Sequence, residues 1–181
     1  AGFQPDQVKA LPPSAVKGFS PDQVGNLAPE AMGGFKPEQF AALPPDAMGG
    51  FKSDQLAALP PKVMGEMDKK KFGKLSPEAM AGFQPKQFAA LPPEAMGGFD
   101  SRRFGALPPA AMKGFKPEQF EVLPPSVFEA MRPEMFDKLP PDAFGGFKPD
   151  QLKKLPVDLM GEFSPKEFGN LPDRKSTRLN S

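Results

Sequence analysis

The chain has 181 residues, among them 26 Pro and 18 Gly, and its 23 basic and 22 acidic side chains give a net charge of +1. This balance argues against nucleic acid as a partner. The absence of Cys and His excludes disulfides, thiolate metal sites and the usual nucleophile–base pairs. No apolar run approaches the roughly 18 residues that span a bilayer, so we expect no membrane insertion.

An eight-residue repeat begins at Gln4 and continues to Leu171 without an insertion, which gives 21 consecutive octads. Octad 1 is 4–11, octad 2 is 12–19, and octad 21 is 164–171. Position 5 of every octad is Val, Met, Leu or Phe, and position 8 is Leu, Phe or Met. This period predicts a tandem repeat array over residues 1–172.

The octads alternate between two types, so the full period is two octads. Odd-numbered octads, here called type A, end in Leu and usually carry Gln at position 4, as in 36–43. Even-numbered octads, called type B, end in Phe or Met and carry Ala, Val or Leu at position 4, as in 44–51.

Each octad is predicted to form one short helix. Pro occupies position 2 in 17 octads, where it suits the first helical residue and would break a helix continuing from the previous octad. Gln at position 4 can cap the N–H of position 1, and Ser20 with Gln23 forms a full capping box. Type B octads mostly begin with Pro, which has no N–H to cap.

Positions 5 and 8 share one helix face and form an apolar stripe. Because such short helices are unstable alone, they must stack. We therefore predict an all-α fold, an α-solenoid of very short helices with a 16-residue repeat made of two 8-residue helical units. Type A helices are expected along one side and type B helices along the other. Gly34 and Gly50, at position 7 of type B, are expected to form left-handed turns and to let backbones approach. A disordered chain is the alternative.

No catalytic, cofactor-binding or metal-binding residues are predicted, and no cofactor. Carboxylates at position 3 could form a Ca²⁺ ladder, but the helix dipole already explains them. Methionines at type B position 5 could line a peptide groove, although a core stripe is favoured. Basic residues at type A position 1 could form a ridge, although a solvated face is favoured. The methionines are Met32, Met48, Met64, Met80, Met96, Met112 and Met160, and the basic residues are Lys36, Lys52, Lys116, Arg132 and Lys148. Octads 68–75 and 100–107 depart from the consensus at capping positions, which we interpret as drift.

Two parts of the chain carry resemblances, the octad array at 4–171 and the segment at 173–181. Residues 35–43 and 83–91 have the frame Phe-x-Pro-x-Gln-Phe-x-x-Leu, which resembles the octapeptide arrays Leu-Ser/Thr-x-x-Gln-Ile/Val-x-x-Leu of large bacterial surface, secreted and adhesin-like proteins. This resemblance implies an exported or cell-surface stalk. Residues 173–181 resemble a translated sequencing adapter, which implies a non-native tail and a protein longer at both ends.

The expected function is a non-enzymatic structural scaffold or spacer in a larger protein, presenting a repeated surface. The alternative is a solenoid binding module that holds a peptide or glycan along one groove. Both leave room for a protein or peptide partner. The sequence leaves the oligomeric state open.

Overall fold

A computed structural model describes residues 3–172, and the predicted tail at 173–181 lies outside them. Every octad forms one helix, and no strand occurs between residues 3 and 172. The type A helices are all α-helices: Pro5–Ala10, Pro21–Gly25, Pro37–Ala42, Ser53–Ala58, Lys69–Lys74, Pro85–Ala90, Ser101–Gly105, Pro117–Val122, Pro133–Phe136, Pro149–Leu152 and Pro165–Asn170. Three type B helices are also α-helices: Pro13–Val16, Pro29–Met32 and Pro77–Met80. The other seven are 3₁₀-helices: Pro45–Gly50, Pro61–Glu66, Pro93–Gly98, Pro109–Gly114, Pro125–Ala130, Pro141–Gly146 and Val157–Gly161.

The two helix types differ in their first hydrogen bonds. In type A the N–H of position 5 reaches the carbonyl of position 1, as from Phe40 to Lys36 at 3.0 Å. In type B the bond to position 1 comes from position 4, as from Ala47 to Pro44 at 3.0 Å. Seven of the eight octads that begin with Pro are 3₁₀-helices. Proline has no N–H at position 1 for a side chain to cap. In these octads the N–H groups of the first turn are instead satisfied by i to i−3 hydrogen bonds, which are those of a 3₁₀-helix.

Three octads complete one turn of the solenoid. The principal helix–helix contacts all join helices three octads apart. Lys69–Lys74, for example, contacts Pro45–Gly50 on one side and Pro93–Gly98 on the other. The cross-section is therefore three-sided, with one octad on each side. The predicted short-helix solenoid is confirmed, but the predicted separation of type A and type B onto two sides is wrong. Because three is an odd number, each side alternates between the two types.

The predicted apolar stripe forms one continuous core. Position 5 is buried in octads 1 to 18, and position 8 is buried or partly buried in every octad. Type B position 4 joins this core, as Ala47 and Val63 show. The stripe weakens near the C-terminal end of the array, where Met160 is 45% exposed and Phe168 is 52% exposed. In octad 20 the position 4 side chain, Leu159, is still buried, although the neighbouring Met160 is not.

Phenylalanine rings connect successive turns inside the core. A type A position 5 ring contacts the position 8 ring of the type B octad stacked on it. The ring centroids are 4.4 Å apart for Phe72 and Phe99, and 4.3 Å apart for Phe88 and Phe115. These contacts add to the burial of apolar area that holds one turn against the next.

Glycine at type B position 7 allows the stacked backbones to approach closely. A Cβ on Gly34 would lie 2.0 Å from the carbonyl oxygen of Pro5, one turn earlier. No glycine in the described part of the chain has a positive φ. The predicted close approach is therefore confirmed, and the predicted left-handed turn is wrong.

Candidate functional site

The carboxamide of Gln39 joins two turns of the solenoid at a corner. Its Oε1 accepts a hydrogen bond from the Lys36 N–H at 2.8 Å, which is the predicted cap. Its Nε2 donates to the carbonyl oxygens of Val8 and Leu11, both at 2.7 Å, in the type A octad four octads earlier. Gln39 is only 1% exposed. The side chain thus caps its own helix and bonds to an earlier one.

The same arrangement recurs along the array, and we call these side chains inter-turn donors. The Nε2 atoms of Gln55, Gln87, Gln119 and Gln151 each donate to two carbonyl oxygens, at positions 5 and 8 of the type A octad four octads earlier, at 2.7–3.0 Å. Gln7 and Gln23 in the first turn make only the cap and are exposed. Burial of the glutamine therefore accompanies the second pair of bonds.

Inter-turn donors solve a general problem of short helices. The last carbonyls of a helix lack partners in a following turn, and an array of one-turn helices has many such groups. The position 5 carbonyl accepts the position 8 N–H of its own octad, as Val8 does from Leu11 at 3.0 Å, whereas the position 8 carbonyl has no backbone donor in its octad. Each hydrogen bond contributes about 0.5–1.5 kcal/mol net, whereas leaving a buried acceptor without a donor costs about 1–3 kcal/mol. The donors therefore stabilise each turn against the next and also fix its register.

Lys71 is the inter-turn donor of octad 9. Its Nζ donates to the carbonyl oxygens of Phe40 at 3.0 Å and Ala41 at 2.8 Å, and it lies 5.7 Å from the Phe40 ring centroid. Burial lowers the pKa of Lys71, and the nearby carboxylates of Asp68 and Glu66 act in the opposite direction. Asp68 Oδ1 accepts the backbone N–H of Lys71 at 2.7 Å, so this helix is capped at its position 4 N–H by the position 1 side chain, whereas Gln caps the position 1 N–H.

Arg103 is the inter-turn donor of octad 13. Its Nε donates to the Leu75 carbonyl at 2.8 Å, and its Nη2 donates to the Gly73 carbonyl at 2.6 Å. Asp100 accepts the Arg103 N–H at 2.8 Å and also pairs with its guanidinium. Octads 9 and 13 thus differ from the consensus at positions 1 and 4 together, and each keeps both a helix cap and hydrogen bonds to an earlier turn. The interpretation of these octads as drift is wrong.

Octads 17 and 21 lack an inter-turn donor at position 4. The side chain of Met135 is buried but has no hydrogen-bond donor, and Glu167 accepts the Ser164 N–H at 2.7 Å without donating to another turn. Arg132 supplies a partial replacement, because its Nη2 lies 3.3 Å from the Leu107 carbonyl oxygen. This bond is longer than those of the glutamines.

No protein-family model matches the chain, and no curated protein matches it significantly.

The other sequence-predicted features fall in different places. Six of the methionines, Met32, Met48, Met64, Met80, Met96 and Met112, are fully buried, which confirms the core interpretation, while Met160 is half-exposed. The five basic residues at type A position 1 are exposed or half-buried and lie at all three corners, so they form no single ridge. The position 3 carboxylates, such as Asp22 and Glu94, are exposed on separate first turns. Residues 3–172 contain no group of three or more potential metal-ligating side chains.

One shallow groove lies at a corner of the solenoid. It is lined by Ala57, Leu59, Pro61 and residues 84–87, and its lining is mainly apolar. Lys86 supplies an exposed charge at its edge. None of the helices between residues 3 and 172 is long and apolar enough to cross a membrane.

The cap half of the site could be predicted from the sequence, whereas the inter-turn half was missed. A capping side chain at position 4 can be Glu or Gln, because only an acceptor is needed. Type A octads instead have Gln seven times and Lys, Arg, Met and Glu once each. This preference for residues that can donate hydrogen bonds was the signal for a second partner.

Proposed function

We propose that the chain is a non-enzymatic structural scaffold that holds the groups attached along it at fixed distances. The observation that carries this proposal is the series of inter-turn donors, which bond each turn to the next from Gln39 to Gln151. A continuous core and regular stacking make each turn a repeat of the one before it. These features favour a rod whose length is set by its number of turns.

The expected length follows from helix packing. Position 3 residues of octads that are three octads apart lie on the same side, one turn apart. Stacked helices lie about 8–10 Å apart, so Asp6 and Glu78, three turns apart, should be separated by about 24–30 Å. Asp6 and Asp150, six turns apart, should be separated by about twice that distance if the rod is straight.

The test measures these two distances in solution. The chain has no Cys, so spin labels can be attached to introduced cysteines at exposed positions. One double variant carries Asp6→Cys with Glu78→Cys, and the other carries Asp6→Cys with Asp150→Cys. Pulsed electron paramagnetic resonance then gives distance distributions for both pairs. We expect two narrow distributions whose means stand in a ratio near two. Broad distributions for the longer pair would contradict a rigid spacer.

The resemblance of residues 35–43 and 83–91 to bacterial octapeptide arrays supports an exported stalk as the setting of this scaffold. Mixed outward charges, such as Asp46 beside Lys74, favour a protein or peptide partner over nucleic acid. Sequencing of the complete reading frame would test the setting, since a leader or surface anchor is expected beyond the array.

A binding module for a peptide or glycan is the second candidate, and the corner groove at Leu59, Pro61 and residues 84–87 is the observation that favours it. Peptide and glycan arrays probed with the labelled chain and with Lys86→Glu would test it. Binding by the unchanged chain that is lost in Lys86→Glu would favour the binding module over the spacer.

A further inference from the structure

The number of inter-turn donors changes along the array, and octad 13 marks the change. Each donor joins a type A octad to the type A octad four octads earlier, so its hydrogen bonds span the four boundaries between the octads in that interval. Where every position 4 side chain donates, each interior boundary is therefore spanned by two donors. Gln87 and Arg103 both cross the boundary between octads 10 and 11. Between octads 16 and 17 only Gln151 crosses, because the second position holds Met135.

This reduction extends over the whole later part of the array. Because the Met135 side chain cannot donate, only one donor spans each boundary between octads 13 and 17. Because Glu167 does not donate to another turn, the boundaries after octad 17 also lack one donor. Residues 36–107 are therefore crossed by two donors per boundary, and residues 108–171 by one at most. Gln119 and Gln151 are the glutamines that remain in this second part.

We propose that residues 108–171 open reversibly as a unit while residues 36–107 stay folded. Local opening is favoured where fewer interactions oppose it, and its free energy sets how fast backbone amides exchange with solvent. Arg132 opposes the opening weakly, since its 3.3 Å bond to Leu107 comes from an exposed side chain. The rod therefore has one part that opens locally and one part that stays folded.

Hydrogen exchange of the full chain followed by NMR tests the proposal at three amides. The reporters are the N–H groups of Phe72, Phe136 and Leu152, which bond to Asp68, Arg132 and Lys148 at 2.9–3.0 Å. In the unchanged protein, Phe136 and Leu152 should exchange at similar rates, both faster than Phe72.

Two substitutions change the number of inter-turn donors in opposite directions. Met135→Gln supplies the missing donor and should slow exchange at Phe136 and Leu152 together, by about tenfold, because both amides exchange through the same opening. Gln87→Met removes a donor from the first part and should accelerate exchange at Phe72 by a similar factor. Rates that fall smoothly inward from Leu171 and ignore both substitutions would overturn the proposal, because they would indicate simple fraying from the end.

Discussion

Gly50 lies directly against the backbone of Pro21, because a Cβ on this glycine would be 1.9 Å from the Pro21 carbonyl oxygen, one turn earlier in the solenoid. The neighbouring Gly49 has no atom closer than 3.6 Å to such a Cβ. Two adjacent glycines of one helix therefore have different roles. Gly50 permits contact between turns, and Gly49 leaves room for a side chain.

Alanine at these two glycines should separate their roles. Gly50→Ala forces apart two backbones that cannot yield locally, and overpacking of this kind costs about 1–3 kcal/mol. Gly49→Ala should be neutral or stabilising, because it restricts the unfolded chain and meets only ordinary contacts. Thermal melts of the two variants measure the difference. Equal melting temperatures would show that the turns are not stacked as closely as described.

Gln55→Glu tests the inter-turn donor without changing its size or its cap. The glutamate oxygen can still accept the Lys52 N–H, which Gln55 accepts at 2.9 Å, but it cannot donate to Val24 and Leu27. We expect a loss of at least about 2 kcal/mol, because the Leu27 carbonyl loses its donor, the Val24 carbonyl keeps only the Leu27 N–H, and both then face a carboxylate. Chemical denaturation gives the value.

Gln23→Glu is the matched control for that substitution. Gln23 makes the cap but no inter-turn bond, and it is exposed near a helix N-terminus, where a negative charge is favourable. Its stability should stay within about 0.5 kcal/mol of the unchanged protein. A similar loss in both variants would assign the effect to the cap rather than to the inter-turn bonds.

Lys71 should make the stability depend on alkaline pH. Burial lowers its pKa in the folded state below the ordinary value of 10.5, so the unfolded chain binds more protons in the window between the two values. Stability should therefore rise with pH through that window. Lys71→Gln should remove this rise, because an amide at this position donates to carbonyls of octad 5, as the other glutamines do to theirs, without a titrating charge. Denaturation at pH 8 and near pH 10.5 measures both slopes.

Deletions of different length test the alternation of octads on each side of the solenoid. Removing 84–99 takes out one octad of each type, so every type B helix still stacks on type A, and the protein should fold as a shorter array. Removing 84–91, or 84–107, places like octads on each other at the junction and separates inter-turn donors from their type A acceptors. Both should melt lower, by an overpacking cost of about 1–3 kcal/mol at least. Equal melting of all three would contradict the alternating stack.

The helices, their first residues and the buried stripe could be predicted from the sequence because each depends on interactions within one octad. Proline placement, the cap at Gln119 and the i, i+3 spacing of Phe120 and Leu123 are local features. The three-octad turn could not be predicted in this way. A stripe determines which side chains are buried, but not which neighbour buries them, and two-type alternation is equally compatible with two sides.

The inter-turn half of the site shows the same limit at the level of single residues. Lys71 and Arg103 looked like unrelated departures from Gln, because their acceptors lie 28–31 residues away in the chain. Only the folded turn brings those carbonyls to position 4. The shared capacity to donate becomes meaningful once the acceptors are known.

The mismatch between a two-octad sequence period and a three-octad turn has a consequence for how such an array can change over generations. Duplication of one pair of octads preserves the stacking of type A on type B. Each copied residue, however, lies two octads further along the chain and therefore on a different side of the three-sided rod. A favourable surface residue therefore returns to its original side only after three such duplications, which add two full turns. The dispersal of the basic residues over all three corners, from Lys36 to Lys148, is the pattern that this mode of growth would leave.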